Sequence, residues 1–152
     1  MNRLLVFRVT AMLAVSLAAA GAAADEATKA EMAKLQGEWS MVSGEIEGQA
    51  MPEAMRATAK RVAKDNETTV MIGGQLFMKA QFTVDPSKKP KTIDYTMTGG
   101  FTAGKKQFGI YELDGDQVKF CFGSPGKDRP TDFSTQAGDG RTLSVWKRVK
   151  PQ

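Results

Sequence analysis

The chain has 152 residues, with 21 basic and 17 acidic side chains, a single cysteine and no histidine. The lack of histidine removes the commonest general base and the commonest metal ligand, and a lone cysteine excludes an intrachain disulfide or a cysteine zinc cluster. The basic residues are scattered and are not interleaved with stacking aromatic residues, so the composition indicates no nucleic-acid partner.

The first 24 residues have the three parts of a secretory signal peptide. Arg3 and Arg8 form a basic n-region, an apolar run covers Val9 to Ala20, and Ala22-Ala23-Ala24 offers a cleavage site before Asp25. The run is shorter than the roughly 20 apolar residues that cross a bilayer, so we predict no membrane span in the mature form. Cleavage after Ala24 would leave a formal charge of about +2 and predicts a periplasmic or extracellular location.

The mature remainder is long enough for one domain that buries a core without disulfides. Residues 25–35 are rich in Ala, Lys and Glu and predict a short helix or a frayed arm, and residues 36–150 form the folded domain. We expect the lone Cys121 to be buried, because free cysteine commonly behaves as a small apolar residue.

The first strand is predicted around residues 38–46. Trp39 and Met41 share one face, and Val42 and Ile46 share the other, as in a strand that is partly covered on both sides.

A short helix should follow, because Pro52 opens a segment of good helix formers, PEAMRATA. Period-two patterning then predicts strands at 60–64 and 68–72 around a three-residue loop, 65–67, and Gly73-Gly74 makes the next turn.

The clearest strand in the sequence comes next, followed by a Pro-bounded loop and another alternating strand. The apolar faces of these two strands consist of Leu76, Met78, Ala80, Phe82 and Val84 in the first and of Ile93, Tyr95 and Met97 in the second.

Two registers compete for the hairpin that follows. A two-residue Asp114-Gly115 turn would leave Leu113 facing Asp116, whereas a four-residue loop, 114–117, keeps apolar residues together. We prefer the four-residue loop. It pairs Leu113 with Val118, Tyr111 with Phe120, Ile110 with Cys121, Gly109 with Phe122, and Glu112 with Lys119.

Residues 123–140 predict a long loop with one short extended piece around 131–134, and a last strand over 143–148 closes the domain. About eight strands in sequence-adjacent hairpins, with no long crossover helix, predict an all-β fold. We expect an antiparallel meander barrel with a short helix after strand one, because closure removes exposed strand edges.

Gly37-Glu38-Trp39 resembles the G-x-W opening of lipocalins and fatty-acid-binding proteins. The resemblance implies that Trp39 plugs the closed end of the barrel and that Arg148, from the last strand, packs on its ring as a cation–π partner.

Further motifs are similar to a lipocalin-like domain of unknown function that is abundant in planctomycetes. They are LQGEW at 35–39, DPSKKPK at 85–91, GIYELDGD at 109–116, Cys121, and PGK with RPTDF at 125–133. The segment 56–69 departs from that pattern and leaves the limits of the second strand open. This resemblance implies a fold and no particular activity.

No recognisable catalytic motif accompanies these features, so we predict a protein that is not an enzyme and uses no cofactor. Asp114 and Asp116 lie in a turn, where Asp is favoured for backbone reasons, and no calcium loop continues from them. No metal site is predicted, and no strand position that we assign to the interior carries an acid or a base.

Two functions fit this sequence. One is a binding protein that holds a small apolar or amphipathic ligand inside the barrel, and the other is a filled barrel that acts through its loops on an unknown protein partner. Ligand binding calls for a continuous cavity of about 300 Å³ or more. The predicted interior residues are Met41, Met78, Phe82, Tyr95, Met97, Tyr111 and Phe120. A charge cluster in the long loop, Lys127, Arg129 and Asp132, either orients an anionic ligand or satisfies itself through salt bridges.

Overall fold

A computed structural model of the protein describes the backbone of residues 12–152 and the side-chain surroundings from residue 19 onward. Residues 1–11 of the predicted signal peptide lie outside this described part. No helix of the described part combines the length and the apolar character needed to cross a membrane. The elements are α1 (Met12–Leu35), β1 (Gly37–Ile46), β2 (Gln49–Ala50), α2 (Glu53–Thr58), β3 (Lys60–Lys64), β4 (Glu67–Ile72), β5 (Gln75–Asp85), β6 (Lys91–Gly100), β7 (Lys106–Asp114), β8 (Gln117–Phe122) and β9 (Thr142–Arg148).

Eight strands form a closed antiparallel barrel in chain order. β1 pairs with β3, each later strand pairs with the next, and β9 returns to pair with β1. β2 is an extra strand of two residues that pairs only with the end of β1. The predicted all-β meander barrel, with a short helix after strand one, is confirmed.

The β7–β8 hairpin has the preferred register, with Tyr111 opposite Phe120 and Ile110 opposite Cys121. Asp114 also pairs with Gln117, so the turn itself shortens to the two residues 115 and 116.

The β3–β4 hairpin is also tighter than predicted, by one residue. Lys64 pairs with Glu67, which leaves only Asp65 and Asn66 in the turn. Asp65 adopts a positive φ of 55°, a conformation that Asp and Asn tolerate better than most residues.

A β-bulge in β1 changes which side chains face the barrel interior. The partners of Met41 and Ser43 are adjacent residues of β9, so Val42 is an extra residue in the ladder. An extra residue shifts the alternation by one position, and Ile46 therefore lies on the inner side together with Trp39. The prediction that Val42 and Ile46 share a face is wrong for this reason.

The last turns of α1 close one end of the barrel. Leu35 is buried in the core, and its carbonyl accepts a hydrogen bond from Trp39 Nε1 at 3.2 Å. The guanidinium of Arg148 lies 4.2 Å from the centroid of the Trp39 ring and donates to the backbone oxygens of Lys34 and Gln36 at 2.6 and 2.5 Å. Arg148 thus has the stacking that the resemblance implied, and it also satisfies carbonyls at the end of α1.

Glu31 anchors α1 from within the same closed end. Its side chain is almost fully buried and accepts from Lys91 Nζ at 2.6 Å and from the Tyr111 hydroxyl at 3.1 Å. Burial raises the pKa of Glu31, but the hydrogen bonds and charges of Lys91, Tyr111 and Lys34 outweigh it, so its pKa lies below the ordinary value. Burial and the neighbouring carboxylate raise the pKa of Tyr111.

The long loop over residues 123–140 covers part of the outer wall of the barrel. Ile110 and Cys121 alternate with inward-facing residues, yet both are buried, and Cys121 Sγ lies 3.8 Å from the carbonyl of Ser134. Burial raises the pKa of the Cys121 thiol, which is the buried free cysteine that we expected. Residues 131–134 form no strand, so the predicted extended piece is wrong.

Candidate functional site: a cavity at the open end of the barrel

A cavity of about 190 Å³ lies at the end of the barrel opposite α1. All eight barrel strands contribute side chains to it, so it is the open mouth of the barrel rather than a surface groove. The aliphatic and methionine side chains that line it are Met41, Ile46, Met51, Val70, Ile72, Met78 and Met97. The aromatic ones are Phe77, Tyr95, Phe101, Phe122 and Trp146, and the polar ones are Arg61, Thr102, Gln107, Thr142 and Ser144.

The volume of this cavity is smaller than the roughly 300 Å³ expected for a typical ligand site. The cavity therefore does not reach the size that we expected for ligand binding, and it has room only for a short chain or for one end of a longer molecule that projects from the mouth. At the rim, Phe101 is 91 % exposed and packs edge-on against Phe77, with ring centroids 6.5 Å apart. The rim therefore presents an aromatic surface to a molecule that enters the cavity.

The seven predicted interior residues all lie inside the barrel, but at different depths. Met41, Met78, Tyr95 and Met97 line the open-end cavity. Deeper in the barrel, Phe82 and Phe120 border a void of only about 10 Å³, and Tyr111 lies at the closed end beside Glu31. The lower half of the barrel is therefore filled by its own side chains, and only the upper half has room for a ligand.

Arg61 occupies the middle of the barrel, between the cavity and the small void. Its residue surface is only 6 % exposed, and its Nη1 donates to the Tyr95 hydroxyl at 2.7 Å and to Thr68 Oγ1 at 3.1 Å. The guanidinium carbon lies 4.7 Å from the ring centroids of both Phe120 and Trp146. Two aromatic faces and two hydroxyls thus hold a buried positive charge.

Arg61 has no counter-ion within the described part of the chain. None of the ion pairs there includes it, and its buried Nε has no hydrogen-bond partner. No Asp or Glu is among the described side chains that line the cavity. Buried charges in proteins are normally paired, so a lone guanidinium at the floor of an apolar cavity favours the entry of an anion.

Our sequence interpretation missed Arg61, because we assigned no charged residue to the barrel interior. The register of the β3–β4 hairpin contained the signal: once Lys64 pairs with Glu67, Arg61 falls opposite Val70, an inward apolar residue. Lys60 and Lys64 then point outward and are exposed, as their alternation with Arg61 requires.

The loop charge cluster lies away from the cavity. Arg129 pairs with Asp94 at 2.7 Å and donates to a backbone carbonyl of β7, and Asp132 pairs with Arg141 at 3.1 Å. Lys127 is exposed and shares neither contact. The structure does not bring the three predicted residues together, and none of them lines the cavity. The contacts of Arg129 fasten the long loop to the barrel wall.

The lining of the cavity offers both apolar contacts and hydrogen-bond donors. Apolar contacts come from methionine and aromatic side chains, and hydrogen-bond donors come from Arg61, Tyr95, Ser144 and Gln107. In residues 12–152, no group of three or more acidic or thiol side chains is arranged to hold a metal ion.

Comparisons with protein-family models, with curated proteins and with solved structures find nothing that matches this chain. The proposed function therefore rests on the barrel and its open-end cavity.

Proposed function

We propose that the protein binds a small amphipathic molecule in the open-end cavity, with the apolar part of the ligand against the methionine side chains. The observation that carries this proposal is the cavity itself, which all eight strands line with mostly apolar groups above one buried cation. Methionine supports such a role, because its flexible and polarisable side chain adapts to ligands of different shape.

We further propose that this binding takes place outside the cytoplasm, after cleavage of the signal peptide behind Ala24, and that the chain belongs to the planctomycete lipocalin-like group. Residues 25–35 would remain after cleavage and would keep Glu31 and Leu35 at the closed end. N-terminal sequencing of the protein from its own host tests the export proposal. A sequence that starts at Asp25 supports it, and a retained Met1 contradicts it.

A filled barrel that acts through its loops on a protein partner is the second candidate. The observation that favours it is the tight lower half of the barrel, together with a cavity below the usual size of ligand sites. It predicts that short amphiphiles do not bind, so one experiment separates the two functions.

That experiment is calorimetric titration of the full chain with 1-octanol and with octanoate. Ligand binding predicts saturation at one site, with the negative heat-capacity change of apolar burial. Ile72→Trp places a larger ring in the mouth and should weaken the binding of both compounds.

Val62→Trp is the matched control, because Val62 is exposed on the outer face of the neighbouring strand. It should leave both affinities unchanged. The absence of saturable binding for both compounds, or equal affinities for the Ile72→Trp and unmodified chains, would overturn the proposed function.

A further inference from the structure

We infer that Arg61 is the head-group site of the cavity and that the ligand is a singly charged carboxylic acid with an apolar chain. The carboxylate would meet the guanidinium at the floor of the cavity, and the chain would extend toward the open end. This inference rests on the proposed function and specifies the chemical class of its ligand.

The charge of the lining limits the ligand to a single negative charge. Arg61 is the only charged side chain among the described residues that line the cavity, and the remaining polar ones are hydroxyls and an amide. A neutral ligand would leave the buried guanidinium without a counter-charge, and a cationic ligand would meet it with like charge. A dianion would carry one charge more than this site can neutralise.

The free donors of the site suit a carboxylate in particular. The guanidinium of Arg61 has five N–H donors on three nitrogen atoms. Only Nη1 donates to a described residue, and its acceptors are Thr68 and Tyr95. Nε and Nη2 have no acceptor in the described part of the protein. Adjacent guanidinium nitrogens match the two oxygens of a carboxylate in a bidentate pair. Because Nε is enclosed by protein atoms, the guanidinium must turn toward the cavity before it can form this bidentate pair.

Two hydroxyls add donors beside the guanidinium. The Tyr95 hydroxyl accepts from Arg61, and Ser144 Oγ accepts from Trp146 Nε1 at 2.9 Å, while neither donates its own proton to another described residue. Both residues line the cavity. Tyr95 and Ser144 can therefore offer hydrogen-bond donors to an entering carboxylate, in addition to those of Arg61.

The test compares three eight-carbon compounds on the full chain: octanoate, 1-octanol and octylammonium. Because hydrogen bonds to a charged group are stronger than those to a neutral one, we expect octanoate to bind about 10–100-fold more tightly than 1-octanol. Octylammonium, which carries the same charge sign as Arg61, should bind most weakly. Calorimetry gives the affinities. Tryptophan fluorescence reports the site itself, because the Trp146 ring lies against the Arg61 guanidinium.

A variant pair assigns the effect to one side chain. Arg61→Gln should reduce the affinity for octanoate to that for 1-octanol and leave the affinity for 1-octanol nearly unchanged. Lys60→Gln removes the same charge from the exposed outer side of the same strand and should change neither. If circular dichroism shows that Arg61→Gln does not fold, the three-compound series on the unmodified chain still decides the question.

The outcomes separate the two proposals. No binding of any of the three compounds would overturn both the proposed function and this inference. Equal affinities for octanoate and 1-octanol, or a folded Arg61→Gln chain that keeps full affinity for octanoate, would overturn the inference while the proposed function stands.

Discussion

Replacement of Glu31 by Ala should destabilise the protein by about 2–4 kcal/mol, because Glu31 joins α1 to the closed end of the barrel. The Tyr111 hydroxyl is buried and would lose its acceptor, a loss of about 1–3 kcal/mol for an unsatisfied polar group. The Lys91 ammonium would lose a charged hydrogen bond at 2.6 Å, but its side chain is 37 % exposed and can return to water. The lysine therefore adds only about 1 kcal/mol.

A double-mutant cycle with Tyr111→Phe isolates the buried hydroxyl. In the Phe background no hydroxyl is left unpaired, so Glu31→Ala should destabilise by about 1–3 kcal/mol less than it does alone. Urea denaturation followed by circular dichroism at pH 7 measures all four chains. If Glu31→Ala changes the free energy of unfolding by less than about 0.5 kcal/mol, or if the two changes add independently, Glu31 does not stabilise the closed end through the Tyr111 hydroxyl.

The same contact predicts a pH dependence. The pKa of Glu31 is lowered in the folded chain, so near and below the ordinary value of 4.5 the unfolded chain binds more protons than the folded one. The stabilisation by ionised Glu31 is thus complete above that value and is lost as the pH falls through the folded pKa. The stability difference between the unmodified chain and Glu31→Gln should shrink as the pH falls from about 5 to about 3. A difference that stays constant over this range would contradict the ionised assignment.

Two substitutions and one labelling experiment probe the closed end, the outer wall and the cavity lining. Arg148→Gln removes the stacking on Trp39 and backbone hydrogen bonds at the end of α1, and it should lower the free energy of urea unfolding by about 1–3 kcal/mol. The Cys121 thiol is buried with a raised pKa, so in the folded chain at pH 7.5 it should react with a disulfide reagent far more slowly than in urea, as followed by absorbance. Gly109→Ala would place a Cβ 2.5 Å from the Phe122 ring, and the unfolding midpoint in urea should fall by an amount equivalent to about 1–3 kcal/mol.

Each of these three predictions has an outcome that would contradict it. An unfolding midpoint for Arg148→Gln that equals that of the unmodified chain would show that the stacking stabilises nothing. Rapid labelling of Cys121 without denaturant would place the thiol at the surface. A Gly109→Ala chain of full stability would mean that Phe122 moves away freely.

The strand order and the register of one hairpin followed from the local alternation of apolar and polar residues. In β7 and β8, only one register keeps Tyr111 opposite Phe120 and Ile110 opposite Cys121, because the side-chain period of two penalises a slip of one residue. The turn lengths did not follow from this pattern, since a pair such as Lys64 and Glu67 can extend a hairpin into its loop without changing its apolar face.

The division of the barrel into a filled half and an open half could not be read from the pattern. Phe82 and Met97 alternate in the same way along their strands, yet one borders a void of about 10 Å³ and the other a cavity of about 190 Å³. What separates them is the docking of α1 at one end, which joins residues far apart in sequence, such as Glu31 and Tyr111. The bulge at Val42 likewise depends on pairing with a strand about 100 residues away.

Methyl NMR of the full chain, labelled with carbon-13 at the methionine methyl groups, tests ligand binding in the open-end cavity most directly. On titration with octanoate, the resonances of Met41, Met51, Met78 and Met97 should shift and saturate together, because these side chains line the cavity. Met32, beside the closed end, and Met71, on the outer side of β4, should stay unchanged. Absence of shifts at the four cavity methionines, or equal shifts at all six, would contradict a ligand site at the open end of the barrel.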